Sequence, residues 1–148
     1  MEFVIREYRA EDCEAIHQMN CRQMRYVFPI EETRKKLEAL SKSGRDRILV
    51  ADVEGIAAGY IHACDYDVIY APPMKNILGL AVSGEFQRQG IGRALLSEIE
   101  RWAKETGACG VRLVSGAGRT EAHAFYRSCG YDGAKQQVNF KKIFLPER

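Results

Sequence analysis

The chain has 148 residues, of which 46% are apolar and 28% charged, with a formal net charge of +2. This suits one globular core. Acids and bases are mixed throughout, which excludes the concentrated basic stripe of a nucleic-acid binder, and no apolar run approaches the ~20 residues that span a bilayer.

The opening "MEFVIREY" carries strand alternation rather than a leader pattern, with Phe3, Val4 and Ile5 as its strand. From Glu11 a helical pattern follows, with Cys13, Ile16, Asn20, Met24 and Val27 at threes and fours, until Pro29 interrupts it. A second helix is predicted over Glu31 to Ser43, charged and surface-lying, with Gly44 as a left-handed stop. "RILVADVEGIAAGYIHA" reads as two strands joined at Glu54-Gly55 in a tight antiparallel hairpin. "CDYDVIYAPPMKN" is expected as a loop, and "ILGLAV" as a strand buried on both faces.

The clearest helix runs from about Gly90 to Glu105, with Ile91, Leu95, Ile99 and Trp102 on one stripe and Gly107 past its end. "GVRLVS" alternates as a strand, and the run from Ile77 to Ser115 is a parallel strand–helix–strand crossover, right-handed by rule. A helix over Arg119 to Cys129 and a last strand over Gln137 to Phe144 complete a single domain, residues 1–148. The five cysteines, Cys13, Cys21, Cys64, Cys109 and Cys129, are odd in number and lack C-x-x-C spacing. They are expected as reduced thiols of a cytoplasmic protein, mostly in core positions, with no metal site.

Chemistry concentrates in "LAVSGEFQRQGIGRALL", where Gln87-x-x-Gly90-x-Gly92 joins a strand to a helix. Glycine weakens a helix, so two glycines at its start call for a reason. A strand feeding a helix through glycines turns unpaired amides and the positive end of the helix dipole toward one point, a natural phosphate site. Arg88 and Arg93 flank it. The plain alternative is an ordinary turn with Gly92 allowing close packing. A dinucleotide fingerprint fails because Leu95 stands where a third small residue is needed, and the Gly-Lys-Ser/Thr of a P-loop is absent.

A second stretch, "RTEAHAFYRSCGY", lies about thirty residues downstream on a predicted helix. Together the two stretches resemble the GNAT superfamily of acetyl-CoA-dependent N-acetyltransferases, as does the order of elements over nearly the whole chain. The matching positions are Gln87, Gly90 and Gly92, then Ala122, Tyr126, Gly130 and Tyr131. The resemblance implies a three-layer α/β fold whose central mixed sheet, flanked by helices, is splayed between strands 77–82 and 110–115. It further implies that Gln87, Arg88, Gln89, Gly90, Ile91, Gly92 and Arg93 hold the coenzyme A pyrophosphate. Leu80, Ala81 and Val82 would then lie along the pantetheine arm, with amides available to an oxyanion.

The implied reaction moves an acetyl group from acetyl-CoA to a primary amine in a ternary complex. An amine of pKa near 10 is only ~0.1% neutral at pH 7, so a base must help. By resemblance Tyr126 is the acid that protonates the departing thiolate, against the plain reading of a tyrosine packed beside Phe125. Many relatives place a glutamate on the cofactor strand, and "NILGLAV" has none. Asp65, Asp67 and His62, near the end of the preceding strand, are the alternatives, acting directly or through a water. His62 also reads as a structural histidine, Glu85 as a surface acid, and His123 as facing either solvent or cofactor. Arg119 stands where many members have asparagine. The acids and aromatics of "DYDVIY" suit a cationic acceptor, whether a small amine, an amino sugar antibiotic or a protein amine. The rival reading is a non-catalytic acyl-CoA-binding regulatory domain. Homodimers are common in the family, and the sequence carries no sign for or against one here.

Overall fold

Strands covered by helices on both faces bury consecutive side chains, as over residues 48–51 and 58–61, and such burial organises the first of two compact units, which divide after Val114. The computed structural model describes residues 2–145. The first unit contains β1 (Val4–Glu7), α1 (Cys13–Arg22), α2 (Ile30–Ser41), β2 (Asp46–Val53), β3 (Ile56–Tyr66), β4 (Met74–Val82), α3 (Ile91–Glu105) and β5 (Val111–Leu113). The strands form one sheet in the order β1-β2-β3-β4-β5. It is mixed: the first three pairings are antiparallel and β4 with β5 is parallel.

Ile48, Val50, Tyr60 and Ala81 turn to one face and pack with Cys13, Ile16 and Met19 of α1 and Leu37 of α2. α3 covers the other face, where a Cβ added to Gly59 would meet the Ile91 side chain at 3.1 Å. Its stripe of Ile91, Leu95, Leu96 and Ile99 is fully buried, each side chain contributing about 1.5–3 kcal/mol of apolar burial. Helix, sheet and helix make the three layers that the sequence implied.

The hairpin also forms as expected. Glu54 and Gly55 both adopt left-handed backbone, at φ +50° and +90°, which matches the turn to the twist of β2 and β3. The Asp52 carboxylate accepts the Gly55 N–H at 2.7 Å. Asp52 also accepts from Arg6 Nε at 2.8 Å, while the rest of the Arg6 guanidinium grips the buried Asp12 with two bonds of 2.8 Å.

Several expectations need correction. The first helix stops at Arg22 rather than continuing to Val27, because Arg25 turns left-handed at φ +59° and Val27 is 91% exposed. The second closes on Lys42, whose N–H bonds the Ala39 carbonyl while the Ser43 N–H bonds that of Leu40, and Gly44 is not left-handed. That helix also buries Thr33 and Leu37. The expected loop at 64–76 is shorter, because Cys64, Asp65 and Tyr66 pair with Asn76, Lys75 and Met74. Only Cys13 is buried, although all five thiols are free.

The "ILGLAV" strand is not covered on both faces. Ile77 and Ala81 are buried, but Leu78 is 54% exposed. The cause is a bulge: His62 pairs with Gly79 and Ala63 with Ile77, leaving Leu78 as the extra residue. β4 pairs with β5 only at Lys75, Asn76 and Ile77. From Leu78 to Val82 it keeps β3 on one side and, among the described residues, has no strand on the other. This is the splay.

The second unit holds α4 (Thr120–Ser128), ended by Gly130 at φ +91° with the Tyr131 N–H on the Tyr126 carbonyl at 3.0 Å. The strand expected over Gln137 to Phe144 is absent. The segment has strand alternation but no ladder to satisfy its backbone, and Val138 and Phe140 are 77% and 89% exposed.

Candidate functional site

β4 delivers the chain to the glycine turn. Ser83 N–H closes the β3 ladder on the Ala58 carbonyl at 2.8 Å, and a short 3-10 turn over Gly84–Phe86 follows. Gln87 then folds back, its Nε2 donating to the Val82 carbonyl at 3.0 Å. Arg88 and Gly90 are left-handed, at φ +63° and +85°, and Gly90 caps α3. Gly90 is needed for that backbone angle, and a Cβ added there would meet nothing within 4 Å. Residues 87–90 are exposed.

The turn therefore offers open approach to the first-turn amides of a 15-residue helix, where the helix dipole is positive and no carbonyl lies one turn back to accept them. Exposed Arg88 and Arg93 add positive charge. These features fit a pyrophosphate. Backbone directions on β4 follow from two bonds: Ser83 N–H points to β3, and Lys75 N–H points to the Gly110 carbonyl at 3.0 Å. Counting back from Ser83 by alternation puts the N–H groups of Leu80 and Val82 on the open edge and that of Ala81 toward β3.

The two acid–base candidates on β3 lie on opposite faces of the sheet. Asp65 faces α3 and pairs with Lys75 at 2.6 Å. Lys75 is 6% exposed, and its ammonium lies 3.9 Å from the Trp102 ring centroid. This pair borders a cavity of about 250 Å³, lined also by Tyr66 and Asp67, at the end of β4 where β5 is still paired. His62 faces α1 and sits opposite Gly79, at the start of the splay. Its Nε2 lies 2.7 Å from an Asp46 carboxylate oxygen. Lys75 and Gly79 are about 13 Å apart along the strand at ~3.3 Å per residue, so the sheet does not bring Asp65 and His62 together.

In the second unit the Tyr126 ring meets Phe125 and Tyr131 edge-on, at centroid distances of 5.3 and 6.2 Å. Burial pushes its phenol above the ordinary value, with Arg119 opposing, so Tyr126 is a neutral hydrogen-bond donor at physiological pH. His123 donates from Nε2 to the Gly116 carbonyl at 2.9 Å, a bond within this unit. The Ser115 hydroxyl is buried without a hydrogen-bond partner.

Sequence reasoning missed Lys75, read as part of a loop, and Asp46, whose partnership with His62 depends on the β2–β3 register. It also missed the Tyr60 hydroxyl, which donates to Asn20 and is pushed up to about 12 by burial. The signal for Asp46 was present: in a two-residue hairpin at Glu54-Gly55 it falls near Cys64 and His62.

Among curated proteins the chain is similar to an aminoglycoside N(6')-acetyltransferase type 1 of Stenotrophomonas maltophilia, 30% identical over 74 residues. That alignment takes in 50% of this chain and 48% of that enzyme, so about half of the relative's length is matched. Among solved structures it resembles AAC(6')-Iy in complex with a bisubstrate analog, at TM-score 0.85 and 16% identity over 97% of this chain and 99% of that one. It resembles AAC(6')-Ih from Acinetobacter baumannii similarly, at TM-score 0.84 and 18% identity over 97% and 99%. These likenesses speak to the fold. The sequence profile described as "Acetyltransferase (GNAT) family" matches residues 13–131, most of the first unit and half of the second, and the chain belongs to that family.

Proposed function

We propose that the chain transfers the acetyl group of acetyl-CoA to a primary amine of a small molecule, with aminoglycosides as the acceptor class. The observation that carries the cofactor half is the Gln87–Gly92 turn, with its left-handed Gly90, open approach and flanking arginines. The acceptor class is carried over from the Stenotrophomonas maltophilia relative.

Acetyl-CoA supplies an activated thioester, and the protein's own groups hold it and move the protons. Gln87, Arg88, Gln89, Gly90, Ile91, Gly92 and Arg93 hold the pyrophosphate. The open-edge amides of Leu80 and Val82 orient the carbonyl and stabilise its oxygen as charge develops. As the C–N bond forms and the C–S bond breaks, the amine proton leaves through His62, directly or by a water, with Asp46 orienting the ring. Tyr126 donates its proton to the departing sulfur. We favour His62 over Asp65 because His62 lies at the start of the splay, whereas Asp65 is engaged by Lys75 farther along. Burial also pushes the Cys64 thiol up, which disfavours an acyl-enzyme on that residue.

A cytoplasmic setting is supported by five unpaired thiols, and among the described residues no helix is long and apolar enough to cross a membrane. The test is thiol release from acetyl-CoA against aminoglycosides, simple alkyl amines and a lysine-containing peptide. Release confined to aminoglycosides supports the full reading. Release with another amine corrects the acceptor. Acetyl-CoA binding without release to any amine replaces the reading with a regulatory acyl-CoA binder.

A further inference from the structure

We propose that Tyr60 is a positioning residue for the amine acceptor, because its hydroxyl hangs the end of α1 across the open stretch of β4. The inference rests on the reading of the chain as an amine acetyltransferase and adds the determinant of acceptor placement.

Tyr60 is 6% exposed, on β3 opposite Ala81. Its hydroxyl donates to the Asn20 side chain in the last turns of α1 and lies 3.6 Å from the Met24 sulfur. Across the sheet, a Cβ added at Gly79 would stand 3.3 Å from the Tyr60 oxygen and 3.8 Å from the Met24 methyl. Gly79 is thus a gap that the Tyr60 hydroxyl fills, at the first residue after the bulge where β4 leaves β5. At the far end of the open stretch, the Gln23 amide comes within 3.6 Å of the Cβ position of Gly84. Met24 at Gly79 and Gln23 at Gly84 mean that the end of α1 lies along the length of the splay, stopping short of the phosphate turn at Gln87.

What continues from that end suits an amine-bearing ring. Arg25 is left-handed at φ +59°, and Tyr26 and Phe28 are 63% and 41% exposed. Their backbone returns to α1: the Tyr26 N–H bonds the Asn20 carbonyl at 2.9 Å, and His17 Nε2 donates to the Phe28 carbonyl at 2.8 Å. Asn20 is therefore held by Tyr60 through its side chain and holds Tyr26 through its backbone. Aromatic faces attract cationic amines, so displacing Asn20 moves an acceptor surface while leaving the phosphate turn in place.

The test is steady-state kinetics of wild type, Tyr60→Phe, Asn20→Ala, Gly79→Ala and the Tyr60→Phe/Gly79→Ala double variant. Losing one buried hydrogen bond is expected to raise the amine KM roughly 10-fold in Tyr60→Phe and in Asn20→Ala. The kcat and the acetyl-CoA KM should stay within about twofold, a split that general loosening of the fold would not give. Gly79→Ala should raise the amine KM as well, and the double variant should be no worse than Tyr60→Phe alone, since removing the hydroxyl makes room for the added methyl. An unchanged amine KM in Tyr60→Phe, an equal rise in the acetyl-CoA KM, or fully additive effects overturns the proposal while the enzyme reading stands. A wild type that transfers to no amine overturns both.

Discussion

Gly90 shows how one residue can serve fold and chemistry together. Its φ of +85° caps α3 and its missing side chain leaves the helix amides open. Gly90→Val would meet both a backbone strain of about 1–2 kcal/mol and an obstructed turn. The expected result is at least about tenfold weaker acetyl-CoA binding by titration, with a smaller change in melting temperature; unchanged affinity would remove the turn from the cofactor site. Tyr126 separates from it in kind. Tyr126→Phe should keep acetyl-CoA affinity and lower kcat by about 10²-fold, and unchanged kcat would remove the acid role. Because burial raises the Tyr126 phenol above its ordinary value of 10.0, the wild-type rate should show no alkaline limb from this group below pH ~10. These residues were legible because motif spacing names them. His62 was legible only as an alternative, since the sequence alone does not say that Asp46 lies 2.7 Å from its ring.

At the scale of elements, β1, the β2–β3 hairpin and the entry to α1 are tied by Arg6, which bonds Asp12 and Asp52 together. Removing the guanidinium leaves Asp12, 3% exposed, as a buried unpaired charge. Arg6→Met is therefore expected to destabilise the protein by about 3 kcal/mol or more by denaturant unfolding. Arg6, first, and the Gly55 N–H hold the Asp52 carboxyl below its ordinary value of 3.8. A depressed carboxylate contributes stability that is full above its unfolded value and disappears as pH falls through the folded one. Melting temperatures from about pH 6 to 3 should show the wild-type advantage over Arg6→Met shrinking as pH falls and carboxylates take up protons. No shrinkage would mean that the pair adds nothing pH-linked. The helices and the hairpin were legible from periodicity because local pattern and tertiary burial agree there. The bulge at Leu78 was not, since nothing local to "NILGLAV" tells which residue the β3 ladder will skip. The tail over 137–144 has the alternation of a strand without a ladder, the opposite failure.

Over the whole molecule, the order of elements was the most legible property, and the family match over residues 13–131 accords with it. The fold explains why: a mixed sheet with one parallel crossover needs its long amphipathic helix between β4 and β5, and that pattern is strong in the sequence. What was not legible is how the sheet distributes chemistry, placing Asp65 on the α3 face and His62 on the α1 face. His62→Gln should therefore lower kcat, while Asp65→Asn, which weakens the ion pair to Lys75, should lower stability more than rate. The reverse pattern would exchange the two roles. The most direct measurement of the central claim is a calorimetric titration of the protein with acetyl-CoA, with ATP and NAD as controls. Selective micromolar binding of acetyl-CoA is the result expected. No heat at millimolar acetyl-CoA, or equal binding of all three, would contradict it.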